Sequence, residues 1–217
     1  MGGAVYELPR PPLAAAAGAL LCALAVAVAM LGAPSASADG CGGVVEQGPN
    51  KNANRGPAPI AIGDSPMLLA VPELADKGFR ANARGCRQYD EGLKVIKDYK
   101  KAGKLGRIVV IALGSNGVIE KSQIRKALEI IGNKRLLLLV TPLETGGGES
   151  GDARLVREQA RKRRRVRLLD WARHSRGHGG WFQPDGLHLT LEGADEMADF
   201  FAGLTFQILP PPGHHRG

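Results

Sequence analysis

Aromatic residues are scarce in this 217-residue chain, at 5% of the total, and none lies between Arg154 and Arg167. That stretch opens the basic run Arg154–Arg176, in which ten Lys and Arg residues are balanced only by Glu158 and Asp170. The run alone accounts for the net charge of +8. Because a basic surface without aromatic rings offers no platform for stacking bases, we expect no nucleic-acid binding. A solvated helix face and contact with an anionic cell-wall polymer remain the two interpretations.

The N-terminus has the pattern of an export segment. Residues 13–31 form an uncharged run of Ala, Leu and Val, and residues 36–38 show the small-x-small pattern that precedes a signal-peptidase cut. We interpret residues 1–38 as a signal peptide. A membrane anchor is the alternative, since the run approaches the ~20 residues that span a bilayer. Both interpretations predict a secreted or cell-surface protein.

Cysteine is also rare, with three residues in the chain. Cys22 would leave with a cleaved signal, so the mature chain would hold one pair, Cys41 and Cys86. A disulfide between them is plausible in an oxidising exterior. Two unrelated thiols are the other interpretation, because sequence spacing alone cannot establish a bridge.

The remaining composition, with 44% apolar and 23% charged residues, is typical of a globular protein. Residues 39–57 are rich in Gly, Asn and Pro without periodicity, which predicts a linker. The folded domain is predicted at 58–206, followed by a flexible tail at 207–217.

Five short apolar runs alternate with segments of helical periodicity in the predicted domain. Such alternation is typical of parallel strands joined by helices that cover both faces of the sheet. The sequence therefore predicts an α/β fold, a three-layer α/β/α sandwich with a five-stranded parallel sheet. The predicted strands are 60–62, 79–83, 107–113, 135–141 and 166–169, and the main predicted helices are 67–75, 89–101, 121–131, 153–164 and 191–204.

The first predicted strand ends at Gly63-Asp64-Ser65, which places Ser65 at the carboxyl edge of the sheet, where open α/β sheets bind ligands. Asp185 and His188 lie three residues apart before the last predicted helix. An acid at that spacing can orient the imidazole, and the imidazole can activate a serine hydroxyl. We therefore interpret Ser65, Asp185 and His188 as nucleophile, orienting acid and base.

Attack by a serine creates a negative oxygen that needs preorganised donors. The candidates are the backbone N–H of Ser65, the N–H of Gly85 or Cys86, and the side-chain amide of Asn116. All of them lie at predicted strand ends, so parallel strands would bring them to one edge.

Two further histidines, His174 and His178, have the spacing of metal ligands only if they lie on one helix. Glycines at 177, 179 and 180 argue against that helix. We expect surface histidines, with no metal site and no cofactor.

Four sequence blocks stand in order along the chain: Gly63-Asp64-Ser65, the glycine-bearing Ala83–Gln88, Gly114-Ser115-Asn116, and Asp185–His188. In these blocks the chain resembles the SGNH (GDSL-type) hydrolase superfamily over roughly residues 60–204. The resemblance implies a flavodoxin-like α/β/α fold with five parallel strands and the same catalytic assignments. It also implies an oxyanion hole shared by the second and third blocks.

A narrower similarity concerns the extracellular domains that accompany membrane acyltransferases modifying cell-wall sugars. They share a Trp before the last block and Leu-Thr after it, as in Trp181 and Leu189-Thr190 here.

The expected function is an exported serine esterase that cleaves O-acyl esters, O-acetyl above all, of carbohydrates or small molecules. The reaction would pass through an acyl group on Ser65. One alternative is an O-acyltransferase that uses the same acyl-enzyme. The other is a noncatalytic module that binds anionic cell-wall polymers through Arg154–Arg176.

Overall fold

The structure, a computed structural model, describes residues 41–50 and 57–208. The predicted export segment at 1–38 and the end of the predicted tail lie outside the described residues. Within the described ranges, no helix is both long enough and apolar enough to cross a bilayer.

Six strands form one sheet, in the order β1-β3-β2-β4-β5-β6. The five strands from β2 to β6 are parallel to one another, whereas β1 runs antiparallel to β3. The predicted parallel sheet is therefore confirmed, and the count of five is corrected to six. The strands are β1 Val44–Gln47, β2 Ile60–Gly63, β3 Arg80–Arg84, β4 Ile108–Ala112, β5 Leu136–Val140 and β6 Val166–Leu169.

The extra strand, β1, lies inside residues 39–57, which the sequence predicts as a linker. Val44 and Val45 remain exposed, so the strand has no buried face that a sequence pattern could reveal. It forms because its backbone pairs with β3, where Val45 is opposite Ala83. Its Glu46 carboxylate also accepts a hydrogen bond from Asn82 Nδ2 at 2.9 Å.

Helices cover both faces of the sheet, as predicted. In β2, Ile60 and Ile62 belong to the apolar core on one face and Ala61 to the core on the other, which is the two-residue period of a strand. The helices are α1 Ala70–Asp76, α2 Tyr89–Lys101, α3 Lys121–Ile131, α4 Gly151–Lys162, α5 Trp171–His174 and α6 Leu191–Ile208, with 3-10 turns at Ser65–Met67 and Gly179–Trp181.

The core beside α1 and α6 includes Leu74 and Phe201, and the two helices pack against each other. The opposite core includes Leu93 of α2, Ile124 of α3 and Val156 of α4. These two cores make the three layers.

The loops that follow β2, β3 and β4 emerge at one edge of the sheet because the three strands are parallel and adjacent. They carry Ser65, the Gly85-Cys86 pair and Asn116. The fourth block lies between β6 and α6. The fold thus places three of the four blocks side by side.

Candidate active site

Ser65 is the first residue of the 3-10 turn that follows β2, with Pro66 next to it. The first N–H groups of a helical turn have no partner within the turn, so the Ser65 N–H is not consumed by the turn itself. Gly63 is required here, because an added Cβ would lie 2.6 Å from the Cβ of Met67. The predicted helix from 67 onward is instead this turn followed by α1.

Asp64 links the serine turn to the asparagine loop. Its side chain is buried, and Oδ2 accepts hydrogen bonds from the backbone N–H groups of Ser115 at 3.0 Å and Gly114 at 3.2 Å. Burial raises the pKa of Asp64 to about 6, although these two hydrogen bonds lower it. Sequence reasoning assigned Asp64 no role, because a short motif does not show whether its carboxylate points inward.

Asn116 offers a buried side-chain donor. Its Nδ2 makes no hydrogen bond of good geometry among the described residues, and it lies close enough to the Asp64 carboxyl to help lower the pKa of that group. Its backbone carbonyl accepts a hydrogen bond from Gln88 Nε2, which ties the second block to the third. A buried donor without a partner is costly in a folded protein, and such donors are often retained for function.

Arg87 is a second positioning residue that sequence reasoning missed. It is 2% exposed, and its Nη1 donates to the carbonyl oxygens of Gly63 and Asn82, both at 2.9 Å. Its Nη2 donates to Asn82 Oδ1 at 2.6 Å. The guanidinium therefore joins the ends of β2 and β3. Its place in the second block, Ala83–Gln88, is a sequence signal for this residue, but the block does not show that the guanidinium is buried.

The second block is fixed by a disulfide between Cys41 and Cys86, whose Cα atoms are 5.1 Å apart. Cys86 has a φ of +52°, a left-handed conformation that is uncommon for a residue other than glycine. Gly85 packs so closely that an added Cβ would lie 1.8 Å from the carbonyl oxygen of Cys41. The loop that carries the candidate N–H donors is thus held against the segment that leads into β1.

Asp185 and His188 are in direct contact. Nδ1 of His188 lies 2.6 Å from Oδ2 of Asp185, while Oδ1 of Asp185 accepts the N–H groups of Leu187 at 2.9 Å and His188 at 3.0 Å. The hydrogen bond with His188 and these two backbone bonds lower the pKa of Asp185 to about 2. An ionised Asp185 beside Nδ1 favours the tautomer that carries its proton on Nδ1, and in that tautomer Nε2 can act as a base.

The turn that carries this pair is braced by the glycine-rich segment after β5. The N–H of Gly146 donates to the carbonyl of Asp185 at 2.6 Å. Gly186 has a φ of +69°, and a Cβ there would lie 2.5 Å from the nitrogen of Gly147. Gln183 closes the turn by donating its N–H to the carbonyl of His188 at 2.7 Å.

The serine, asparagine and histidine blocks meet at a small, largely apolar cavity. Pro66, Ser115 and Leu187 all line it, and each is the chain neighbour of a candidate residue. Direct hydrogen bonds join the first three blocks to one another. The fourth block borders the same cavity, and within the described residues no hydrogen bond joins Ser65 to His188.

The other two histidines of the described residues lie in aromatic stacks. His174 ends α5 and stacks on Phe200, with ring centroids 4.2 Å apart, and His178 stacks on Trp181 at 3.9 Å. In the described part of the chain, no group of three or more His, Cys, Asp or Glu residues is arranged to hold a metal ion.

The basic run Arg154–Arg176 is only partly free. Six of its ten basic residues hydrogen-bond or pair with other described residues: Arg157, Lys162, Arg163, Arg165, Arg167 and Arg176. The other four are exposed and have no such contact within the described ranges: Arg154, Arg161, Arg164 and Arg173. Much of the positive charge therefore stabilises the fold, and contact with an anionic polymer stays a prediction.

The layered sheet and the four blocks at its edge resemble those of the SGNH (GDSL-type) hydrolase class. No family model matches the chain. By sequence it is 34% identical over 145 residues to the O-acetyltransferase OatA of Staphylococcus aureus. This match covers 65% of this chain and 24% of OatA. It is 31% identical over 140 residues to YrhL of Bacillus subtilis, and this match covers 64% of this chain and 22% of YrhL. The chain thus spans about a quarter of the curated relatives it matches.

Two solved structures share the fold. One is the C-terminal catalytic domain of the peptidoglycan O-acetyltransferase OatA of Streptococcus pneumoniae, with a TM-score of 0.61, 23% identity, and coverage of 70% of this chain and 94% of that chain. The other is a lipase/acylhydrolase from Enterococcus faecalis, with a TM-score of 0.55 and 17% identity. It covers 71% of this chain and 98% of that chain. These comparisons confirm the predicted SGNH resemblance and the three-layer fold, and they support an enzyme that acts on ester bonds.

Proposed function

We propose that the chain is an exported serine enzyme that takes an acyl group, acetyl above all, from an O-acyl ester onto Ser65. The observation that carries the proposal is the 2.6 Å contact between His188 Nδ1 and Asp185 Oδ2, in a turn that borders the same cavity as the neighbour of Ser65. A serine hydroxyl is too weak an acid to attack an ester without such a base.

In the first step, Nε2 of His188 removes the proton from Ser65 Oγ as Oγ attacks the ester carbon. Asp185 keeps the imidazole in the required tautomer and stabilises the imidazolium that forms. The oxyanion is stabilised by Asn116 Nδ2, the Ser65 N–H and the N–H of Gly85 or Cys86.

The intermediate then collapses. The alcohol leaves with the proton from His188, and the acyl group remains as an ester on Ser65. In the second step, His188 takes a proton from the incoming nucleophile, which attacks the acyl-Ser65 carbonyl through the same oxyanion site. Water as nucleophile gives an esterase, and a sugar hydroxyl gives an O-acyltransferase.

The substrate class rests on the relatives. OatA of Staphylococcus aureus is named an O-acetyltransferase, and the similar domain of Streptococcus pneumoniae comes from a peptidoglycan O-acetyltransferase. We therefore infer an acetylated cell-wall glycan as substrate and a cell-surface location. The relatives' names favour transfer as the second candidate, with a glycan hydroxyl in place of water.

The test compares p-nitrophenyl acetate hydrolysis by the wild type, Ser65→Ala and Ser122→Ala. Ser122 is an exposed helix residue that hydrogen-bonds Glu120 and belongs to none of the four blocks, and its variant serves as the control. We expect Ser65→Ala to lose hydrolysis and Ser122→Ala to retain it. A fluorophosphonate probe followed by mass spectrometry should label Ser65. Equal rates for the wild type and Ser65→Ala would overturn the proposal.

Product analysis separates the two enzyme activities. A glycan acceptor is added to the assay, and acetate and acetylated glycan are quantified together. Acetate alone identifies an esterase, and acetylated glycan identifies a transferase. A wild type that cleaves no ester but binds an anionic wall polymer would support the noncatalytic alternative instead.

A further inference from the structure

A groove of about 660 Å³ opens beside the turn that carries Asp185 and His188. The glycine-rich segment at 146–149 forms one wall, and residues 175–186 form the other; we call this space the side groove. Its volume lies within the roughly 300–1,000 Å³ of ligand pockets. The site described above leaves it unused.

The side groove is continuous with the catalytic turn. Gly146 and Gly186 line it, and these residues are also part of the brace, since the N–H of Gly146 donates to the carbonyl of Asp185. Gln183 and Pro184, which open the turn, line it as well. A ligand in the groove would therefore lie against the backbone that holds the base.

One wall presents a flat ring on a rigid support. The exposed imidazole of His178 stacks on Trp181 with an interplanar angle of 12°, and Trp181 stacks on Trp171 at 16° with centroids 5.9 Å apart. Both tryptophans are buried, so the support is packed into the core. The free face of such a ring can pack against the apolar C–H face of a pyranose.

The opposite wall offers a fixed acceptor, the Glu149 carboxylate, and Arg176 on the wall of His178 places a donor beside it. Arg157 pairs with the Glu149 carboxylate, and this hydrogen bond lowers the pKa of Glu149. Arg176 lies 3.6 Å from Glu149 with its side chain 73% exposed, so most of its donors face solvent. Asp170 offsets the charge of Arg157. These opposite charges balance, which suits the hydroxyl groups of an uncharged sugar, because hydroxyls both donate and accept.

We propose that the side groove binds the glycan part of the ester substrate, an uncharged oligosaccharide, with one ring on His178 and hydroxyls on Glu149 and Arg176. The proposal rests on the proposed function for the chemistry at Ser65 and adds where the sugar chain lies.

The chain supplies its own reporter for this binding. It contains two tryptophans, and both lie in the stack beneath His178. A sugar ring that covers His178 should therefore change the fluorescence of the whole protein. The probe is chitopentaose, an oligomer of N-acetylglucosamine, titrated into full-length Ser65→Ala so that no chemistry interferes.

Two variants in the Ser65→Ala background remove the site in different ways. His178→Ala deletes the flat ring. Gly179→Leu fills the groove, and the fold tolerates it, because Gly179 has no positive φ and no atom within 4 Å of an added Cβ. The matched control is Gly203→Leu on α6, where an added Cβ also meets open space.

We expect a saturable fluorescence change, with a Kd about tenfold weaker or more in both groove variants and within about twofold in the control. Calorimetry supplies the same constants where a variant alters the emission. With Ser65 restored, the groove variants should keep the wild-type kcat/KM for p-nitrophenyl acetate, which has no sugar. This last readout shows that they are folded.

The absence of a saturable change with chitopentaose would overturn the side-groove proposal, and so would equal Kd values across the three variants. Neither result depends on catalysis, since the titration uses Ser65→Ala. Failure of the proposed function would appear separately, as equal hydrolysis by the wild type and Ser65→Ala.

Discussion

The Oδ2 atom of Asp64 accepts the backbone N–H of Ser115 at 3.0 Å, which fastens the turn of the candidate nucleophile to the loop of Asn116. A second bond, from the N–H of Gly114, reaches the same oxygen. One buried carboxylate thus sets the spacing between the candidate nucleophile and a candidate oxyanion donor.

Replacement of Asp64 should separate geometry from charge. Asp64→Ala leaves two buried N–H groups without an acceptor, so we expect a loss of about 1–3 kcal/mol in unfolding free energy and a lower kcat. Asp64→Asn retains an acceptor oxygen and should stay closer to the wild type in both. Urea unfolding and p-nitrophenyl acetate kinetics measure the two effects. Equal stability and kcat for Asp64→Ala and the wild type would contradict this role.

The buried carboxyl also predicts a pH dependence of stability. The pKa of Asp64 in the folded protein, about 6, lies above its ordinary value of 3.8, so the folded state holds the proton more tightly. Its stabilising contribution is therefore fully present below about pH 4 and is lost as the pH rises through 6.

Between pH 7 and pH 4, the wild type should gain unfolding free energy relative to Asp64→Asn. The gain is on the order of 3 kcal/mol, because each tenfold change in proton affinity is worth about 1.4 kcal/mol. Asp185 does not mask it, since its pKa is lowered and its contribution disappears only as the pH falls from about 4 through 2. Urea unfolding at several pH values tests this, and a constant difference between the two proteins would refute it.

The buried Nδ2 of Asn116, which makes no hydrogen bond of good geometry among the described residues, predicts a transition-state effect. Asn116→Ala should lower kcat by about 10²–10³-fold with little change in KM, as for the loss of one oxyanion donor in a serine hydrolase. Gln88→Ala removes the hydrogen bond to the Asn116 carbonyl, together with the Gln88 side-chain cap on the N–H of Glu91 in α2, and should give a smaller loss of kcat. Steady-state kinetics of both variants provide the check. The idea fails if Asn116→Ala changes KM alone.

The disulfide predicts a dependence on redox conditions. The bridge between Cys41 and Cys86 closes a sequence separation of 45 residues, so Cys41→Ser should cost about 2–4 kcal/mol of unfolding free energy. Dithiothreitol should lower the stability of the wild type by a similar amount and leave Cys41→Ser unchanged. We also expect a several-fold lower kcat, because Gly85 and Cys86 lose their attachment to the β1 segment. Unfolding curves with and without reductant test it; a reductant effect on Cys41→Ser would argue against the bridge as the cause.

Sequence reasoning could reach the elements that carry a strong local pattern. Helices 89–101 and 121–131 begin and end where predicted, and so does the strand at 166–169, because apolar periodicity marks their buried faces. The strand β1 lacks such a mark. It is short and exposed, and it exists only through pairing with a distant strand.

The same distinction applies to the candidate site. Ser65, Asn116, Asp185 and His188 could be singled out because their chemistry shows in the residue type and their positions follow strand ends. The supporting residues could not be found in this way. The role of Arg87 depends on burial, which one sequence does not reveal for a charged side chain.

The packing of α6 against α1 also fixes the moment at which the enzyme becomes competent. During synthesis Ser65 emerges early, whereas His188 lies just before the last helix. Under the proposed assignment of nucleophile and base, we expect a nascent or C-terminally shortened chain to lack its base and to be inert toward esters. Labelling of Ser65 by a fluorophosphonate should therefore report that the last helix has docked and that folding is complete.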